Sequence, residues 1–170
     1  METHSEPIIV TRLFDASRDD VWKSWTVPER IKQWWGPHTF TAPTAKCDVR
    51  VGGVYLFAMQ DPEKKVYWGT GTYKEVVPHT KLVFTDSFAD ENGNIVSSEY
   101  YGMPGIPKEL LVTVTLEEEN GKTKMTLKHE GFPAGEMADQ CKEGWEQSFD
   151  KFEKTLNKEE GRKQWLDKSM

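Results

Sequence analysis

The sequence predicts an α+β helix-grip domain, in which a curved antiparallel sheet of six or seven strands packs on one long C-terminal helix. Two observations support this fold class. Between residues 8 and 130, short apolar segments alternate with turn signals, as in an antiparallel sheet. After residue 135 the apolar period changes from two to about three and a half. The long helix has an apolar face too broad for an isolated helix, so we expect it to lie across the concave side of the sheet.

The chain begins with a predicted strand at residues 8–14, which a small helix pair follows. Ser17 can cap the first helix, because its side chain accepts a hydrogen bond from a free backbone amide. Pro28 begins the second helix, and Gly36-Pro37 ends it. The apolar positions of the two helices are Val21, Trp22, Trp25, Ile31, Trp34 and Trp35.

Six further strands and one loop precede the long helix. The strands are predicted at residues 40–49, 54–59, 67–77, 81–87, 110–117 and 123–130. Asn120-Gly121 is a strong signal for a two-residue hairpin turn between the last two strands. Residues 90–108 are rich in glycine and proline, and we expect them to form a mobile lid over any cavity.

The long helix is predicted at about residues 135–156. Its apolar positions follow spacings of four, four, four, three and four, at Met137, Cys141, Trp145, Phe149, Phe152 and Leu156. Residues 158–170 form a charged tail, and residues 1–170 are predicted to be a single domain.

Four blocks of sequence resemble one known family. They are the segment 14–37, the strand Val51-Gly-Gly-Val-Tyr-Leu-Phe-Ala-Met59, the segment 71–85, and the segment from 111 into the last helix, with Gly144-Trp145. Together they are similar to the activator of heat-shock-protein-90 ATPase-like group of the START/birch-pollen-allergen-like (SRPBCC) superfamily. The resemblance spans roughly residues 8–157 and implies a START-like helix-grip fold. It also implies that Tyr55, Phe57 and Met59 face inward. It does not choose a function, because the superfamily includes binders, enzymes and cochaperone domains.

Composition excludes several functional classes. The net charge of -6 and the pI near 5.3 argue against nucleic-acid and anionic-membrane binding, which need clustered Lys and Arg. No apolar run is long enough to span a membrane, and the first residues lack the basic and apolar parts of a signal peptide. We therefore expect a cytoplasmic protein, with a homodimer left open.

The cysteines and histidines give no sign of a cofactor or metal site. Cys47 and Cys141 are expected to be reduced thiols. The four histidines have no metal-ligand spacing, so neither a metal nor another cofactor is predicted.

Large aromatic and methionine side chains from every predicted element converge on the interior. They can fill a solid core or line a cavity for an apolar or aromatic small molecule, and the sequence leaves both alternatives open. The candidate ligand-binding residues are Trp34, Phe57, Met59, Trp68, Tyr73, Phe84, Tyr100, His129, Met137, Cys141, Trp145 and Phe149.

His129 is predicted to point toward the interior near the end of its strand. It can orient a ligand or exchange a proton, or it can simply hydrogen-bond a backbone carbonyl or a tyrosine hydroxyl. Asp86, Glu99 and Glu130 can approach the cavity mouth, but their spacing favours a solvated rim over an acid-base pair. No catalytic residue is assigned.

Three functions follow from these alternatives. The first is binding of a small hydrophobic, aromatic or lipid-like molecule between the sheet and the C-terminal helix. The second, implied by the resemblance, is an interaction domain that stimulates a chaperone ATPase. The third is an enzyme of cyclase or hydrolase type that uses His129, which would require a carboxylate within hydrogen-bond reach inside the cavity.

Overall fold

A computed structural model describes residues 6–168, with side chains as far as Leu156, and contains one seven-stranded antiparallel sheet and three α-helices. The strands are β1 (Ile8–Phe14), β2 (Thr41–Cys47), β3 (Val54–Gln60), β4 (Val66–Val77), β5 (Lys81–Ala89), β6 (Leu110–Glu119) and β7 (Lys122–Glu130). The helices are α1 (Arg18–Thr26), α2 (Pro28–Trp34) and α3 (Glu136–Lys168). The predicted helix-grip fold class is confirmed.

The strand order is β1-β7-β6-β5-β4-β3-β2, so the first strand returns to pair with the last one. This pairing runs from Ile8 opposite His129 to Phe14 opposite Thr123. The β6–β7 hairpin turns at Asn120 and Gly121, which both have positive φ, as the predicted two-residue turn requires.

Alternation places the predicted apolar positions on the concave face. On β6, Val112, Val114 and Leu116 are at most 3% exposed. On β7, Met125 and Leu127 are fully buried. The inward face that the sequence predicts for the last hairpin is therefore confirmed.

Gly71 on β4 permits a close approach between strands. A Cβ atom there would lie 1.8 Å from the backbone oxygen of Thr85 and 2.6 Å from the Tyr55 ring. A register shift between Tyr73 and Glu75 interrupts the β4–β5 ladder a few residues later. Close approach of the backbone at a glycine and a β-bulge both allow a sheet to bend, and this sheet forms a curled half-barrel.

Aromatic rings fill the space between α1, α2 and the middle of α3. Trp25 stands at the centre, with its ring centroid 4.8 Å from that of Trp34 and 6.2 Å from that of Phe149. Its indole nitrogen donates to the Met125 sulfur at 3.1 Å. Trp34 donates to a backbone oxygen at 2.8 Å. The buried indoles thus have polar partners, and the region is a packed core.

Polar contacts fix α3 against the rest of the domain. Arg12 of β1 donates to the backbone oxygen of Glu146 at 2.8 Å and to Asp150 Oδ1 at 2.9 Å. Lys151 donates to the backbone oxygens of Pro37 and Phe40, each at 3.0 Å. These contacts link the helix to both the sheet and the α2–β2 connection.

Two regions differ most from the prediction. The backbone of α3 continues to Lys168, twelve residues past the predicted end. The side chains of the predicted charged tail, 158–170, lie outside the described part. The loop at 90–108 contains a short 3-10 helix, Ser98–Tyr101. Within the described residues, no helix has the length and apolar character needed to cross a membrane.

Candidate functional site

A cavity of about 310 Å³ lies between the N-terminal half of α3, the loop before β6 and strands β3 to β5. A cavity of roughly 150 Å³ is known to hold benzene, so this one has room for a ligand of about two fused rings. Its lining residues are Trp35, Gly36, Pro37, Met59, Tyr67, Trp68, Gly69, Asp86, Ser87, Phe88, Met103, Ile106, Pro107, Leu110, His129, Phe132, Met137, Gln140, Cys141, Gly144, Trp145 and Ser148.

Most of the wall is apolar. Trp35 and Trp145 meet at right angles with ring centroids 5.7 Å apart, and Trp35 also packs on Phe57 at 4.8 Å. These rings separate the cavity from the packed aromatic core. Gln140 and Pro107 are exposed at the rim. The cavity therefore offers an aromatic wall on its inner side and a connection toward solvent.

A polar corner, formed by His129 and Asp86, interrupts the apolar wall. The indole nitrogen of Trp145 donates to His129 Nδ1 at 3.0 Å. An indole N–H can only donate, so Nδ1 accepts, and the imidazole proton resides on Nε2. The hydrogen bond from Trp145 of α3 thus fixes the orientation of the imidazole.

The opposite edge of the imidazole lacks a hydrogen-bond partner. His129 Nε2 lies 3.3 Å from Asp86 Oδ2, but the described side chains give it no hydrogen bond of acceptable geometry. Ser87 Oγ is also buried without a partner in the described part of the chain, but alternation along β5 places it on the face opposite to Asp86. Buried polar atoms in native proteins nearly always have partners, so His129 Nε2 lacks a contact that a bound polar group could supply.

The tyrosine and cysteine near this corner are held in their neutral forms. Burial, and then the Asp86 carboxylate, raises the pKa of Cys141 to about 12. Burial also raises the pKa of the Tyr55 hydroxyl well above its usual value, with Asp86 acting in the same direction. Tyr55 donates to the Thr85 backbone oxygen at 2.9 Å. Cys141 is therefore a thiol at neutral pH and is not activated as a nucleophile.

The structure divides the candidate binding residues into three groups. Six line the cavity: Met59, Trp68, His129, Met137, Cys141 and Trp145. Five pack in the aromatic core instead: Trp34, Phe57, Tyr73, Phe84 and Phe149. The void beside that core measures about 10 Å³, roughly the minimum space for one water molecule. The described part of the interior thus contains a packed aromatic core and, beside it, a cavity.

Tyr100 forms the third group, because it is 62% exposed and lies outside the cavity wall. Its neighbour Tyr101 is buried instead. The Tyr101 hydroxyl donates to the Ala89 backbone oxygen and accepts from the Trp68 backbone nitrogen at 3.1 Å. The sequence gives no clear signal for the 3-10 turn that exposes Tyr100 and buries Tyr101.

Sequence reasoning missed several lining residues. Among them are Trp35, Tyr67, Ser87, Phe88, Met103, Ile106 and Phe132, and Asp86 was assigned to a solvated rim. A signal for Asp86 existed, because Phe84, Asp86 and Phe88 alternate along β5 and so share one face. A carboxylate between two inward phenylalanines is more typical of a site than of a rim.

The loop before β6 covers one side of the cavity through Met103, Ile106 and Pro107. Ser98 tethers it, because its hydroxyl donates to the backbone oxygen of Ile106 at 3.3 Å and accepts from the backbone nitrogen of that residue. The loop therefore occupies the position expected of a lid, whereas its mobility stays a prediction. No cluster of three or more His, Cys, Asp or Glu side chains placed for a metal ion occurs among the described residues.

Solved structures from several bacteria share this fold. A protein from Arthrobacter aurescens matches with a TM-score of 0.75 at 24% identity, covering 93% of this chain and 92% of that one. One from Staphylococcus epidermidis matches with a TM-score of 0.73 at 26% identity, covering 94% and 95%. A Silicibacter pomeroyi protein described as AHSA1 matches with a TM-score of 0.72 at 22% identity, covering 91% and 99%.

A search of curated proteins gave no significant match. The family model described as activator of Hsp90 ATPase homolog 1-like protein matches residues 15–157, which is most of the chain. This match confirms the resemblance found in the four sequence blocks. The chain therefore belongs to the family of activator of Hsp90 ATPase homolog 1-like proteins.

Proposed function

We propose that this protein binds a small hydrophobic molecule, with an aromatic or lipid-like body, in the cavity between the sheet and α3. The observation that supports the proposal most is the cavity of about 310 Å³ itself. Ligand sites are concave and mostly apolar, with a few placed polar groups, and run from about 300 to 1,000 Å³.

An enzyme is the second candidate, because His129 and Asp86 lie 3.3 Å apart in the cavity wall. Their arrangement nevertheless favours binding. The Nδ1 lone pair of His129, which could otherwise take up a proton, already accepts a hydrogen bond from Trp145. The other ring nitrogen, Nε2, carries a proton. His129 is therefore placed to donate a hydrogen bond and not to act as a general base.

The family description names an activator of a chaperone ATPase, which gives a third candidate. We also propose a cytoplasmic location, which is supported by two free cysteines, Cys47 and Cys141, in the described part of the chain.

The experiment is a titration with the neutral fluorescent probe N-phenyl-1-naphthylamine, together with urea unfolding. Cys141 lines the cavity, so Cys141→Trp should place an indole in the space. We expect probe binding to be lost, with only a small change in the free energy of unfolding. Cys141→Ser, which keeps the size of the side chain, is the matched control and should retain binding.

A filled interior would behave differently. Overpacking a solid core costs about 1 to 3 kcal/mol, so Cys141→Trp would then be clearly destabilised. Such destabilisation, with no probe binding by the unsubstituted protein, would contradict the proposal and favour a packed interaction domain.

A further inference from the structure

We propose that the ligand carries a hydroxyl group, as an alcohol or a phenol, and that this group binds between the carboxylate of Asp86 and the Nε2–H of His129. The inference rests on the proposed binding function and names the chemical class of its ligand. The rest of the ligand would lie against the apolar wall that includes Trp35 and Trp145.

The two partners present opposite hydrogen-bonding roles at one place. Asp86 offers carboxylate oxygens, and its side chain remains 29% exposed. His129 offers a proton on Nε2, because Trp145 occupies Nδ1. The two facing atoms are 3.3 Å apart and do not satisfy each other. Nε2 has almost no accessible surface in this structure, so the imidazole must tilt slightly for one ligand oxygen to accept from it and donate to the carboxylate.

A hydroxyl is the group that fits both roles. It has one proton to donate and two lone pairs to accept with, whereas a carboxylate only accepts and an ammonium only donates. A ligand carboxylate would face Asp86, and none of the described residues lining the cavity is a lysine or an arginine that would balance the two charges. A ligand ammonium would satisfy Asp86 but would leave the Nε2–H of His129 unpaired.

The test is a displacement assay on the full chain with four ligands that share one ring system: naphthalene, 2-naphthol, 2-naphthoate and 2-naphthylmethylammonium. Each displaces bound N-phenyl-1-naphthylamine at pH 7. A hydrogen bond to a charged group should give 2-naphthol an affinity at least about tenfold above that of naphthalene. We expect 2-naphthoate to bind more weakly than naphthalene, and the ammonium compound to bind more weakly than 2-naphthol.

Asp86→Leu provides the matched variant, because it replaces the carboxylate by an apolar group of similar shape. Naphthalene binding by this variant reports whether the cavity is intact. The advantage of 2-naphthol over naphthalene should fall, because only the hydrogen bond from His129 remains, and an undiminished advantage would contradict the role of Asp86.

The outcomes separate this inference from the function on which it rests. Equal binding of 2-naphthol and naphthalene by the unsubstituted protein would overturn the hydroxyl assignment and leave the apolar cavity as proposed. Tighter binding of 2-naphthoate or of the ammonium compound would also overturn it. Failure of all four ligands and of the probe to bind would overturn both proposals.

Discussion

Replacing Phe149 by alanine tests the division of α3 into a core half and a cavity half. The Phe149 side chain is fully buried, and its ring centroid lies 5.6 Å from that of Trp145 and 6.1 Å from that of Phe152. Burial of a phenylalanine contributes about 1.5–3 kcal/mol, and the cavity left behind raises the cost of Phe149→Ala to about 3–5 kcal/mol.

Met137→Ala is the comparison within the same helix. Met137 is half-buried and already borders an open cavity, so its truncation creates no new enclosed void. We expect a loss of about 1 kcal/mol, roughly half the transfer free energy of a fully buried side chain. A stability of roughly 5–15 kcal/mol is typical for a domain, so both variants should remain folded without denaturant.

Urea unfolding, followed by far-ultraviolet circular dichroism, measures both losses. The midpoints should differ while the slope of the unfolding free energy against urea stays constant. Equal losses for Phe149→Ala and Met137→Ala would refute the division of the helix, because they would mean that both positions are packed to the same degree.

Two further predictions concern the sheet and the cavity thiol. Gly71→Ala should lower the free energy of unfolding in urea by about 3 kcal/mol or more, because the new Cβ would lie 1.8 Å from the Thr85 oxygen. Gly69→Ala is the control: its nearest contact would be at 3.6 Å, so the free energy of unfolding should change by less than about 1 kcal/mol. Similar losses for the two variants would contradict the close approach at Gly71. In a Cys47→Ser background, Cys141 should react with iodoacetamide at pH 8 far more slowly than a free thiol, because a pKa of about 12 leaves only about one thiol in ten thousand ionised. Labelling at pH 8 as fast as that of free cysteine would contradict the buried environment.

The strands and helices could be predicted because apolar periodicity reports the burial of each side chain. Val112, Val114 and Leu116 alternate with polar residues, and all three face inward. The turn at Asn120-Gly121 depends only on local backbone preferences, so it too could be predicted.

The boundary between core and cavity could not be predicted in the same way. Trp34 and Trp145 are the same residue type at inward positions of helices, yet one is fully buried in the core and the other lines the cavity. The difference arises from the curvature of the sheet and from the path of the loop that brings Met103 and Ile106 over the opening. Neither is encoded in a local pattern.

The polar corner escaped prediction for a related reason. Asp86 pairs with Leu110 on β6, and His129 pairs with Val112 on the same strand, so β6 separates the two residues in the sheet. They approach each other because the sheet is curved. Sequence spacing therefore suggested no pair.

Methyl NMR of the protein labelled at methionine tests most directly whether an apolar ligand occupies this cavity. Met59, Met103 and Met137 line it from β3, from the loop and from α3, whereas Met125 is fully buried in the core, where its sulfur accepts from Trp25. Titration with 2-naphthol should shift the first three methyl signals along one saturation curve and leave that of Met125 nearly unchanged. Saturating ligand that shifts none of the three, or that shifts Met125 as strongly as the others, would contradict binding in the cavity.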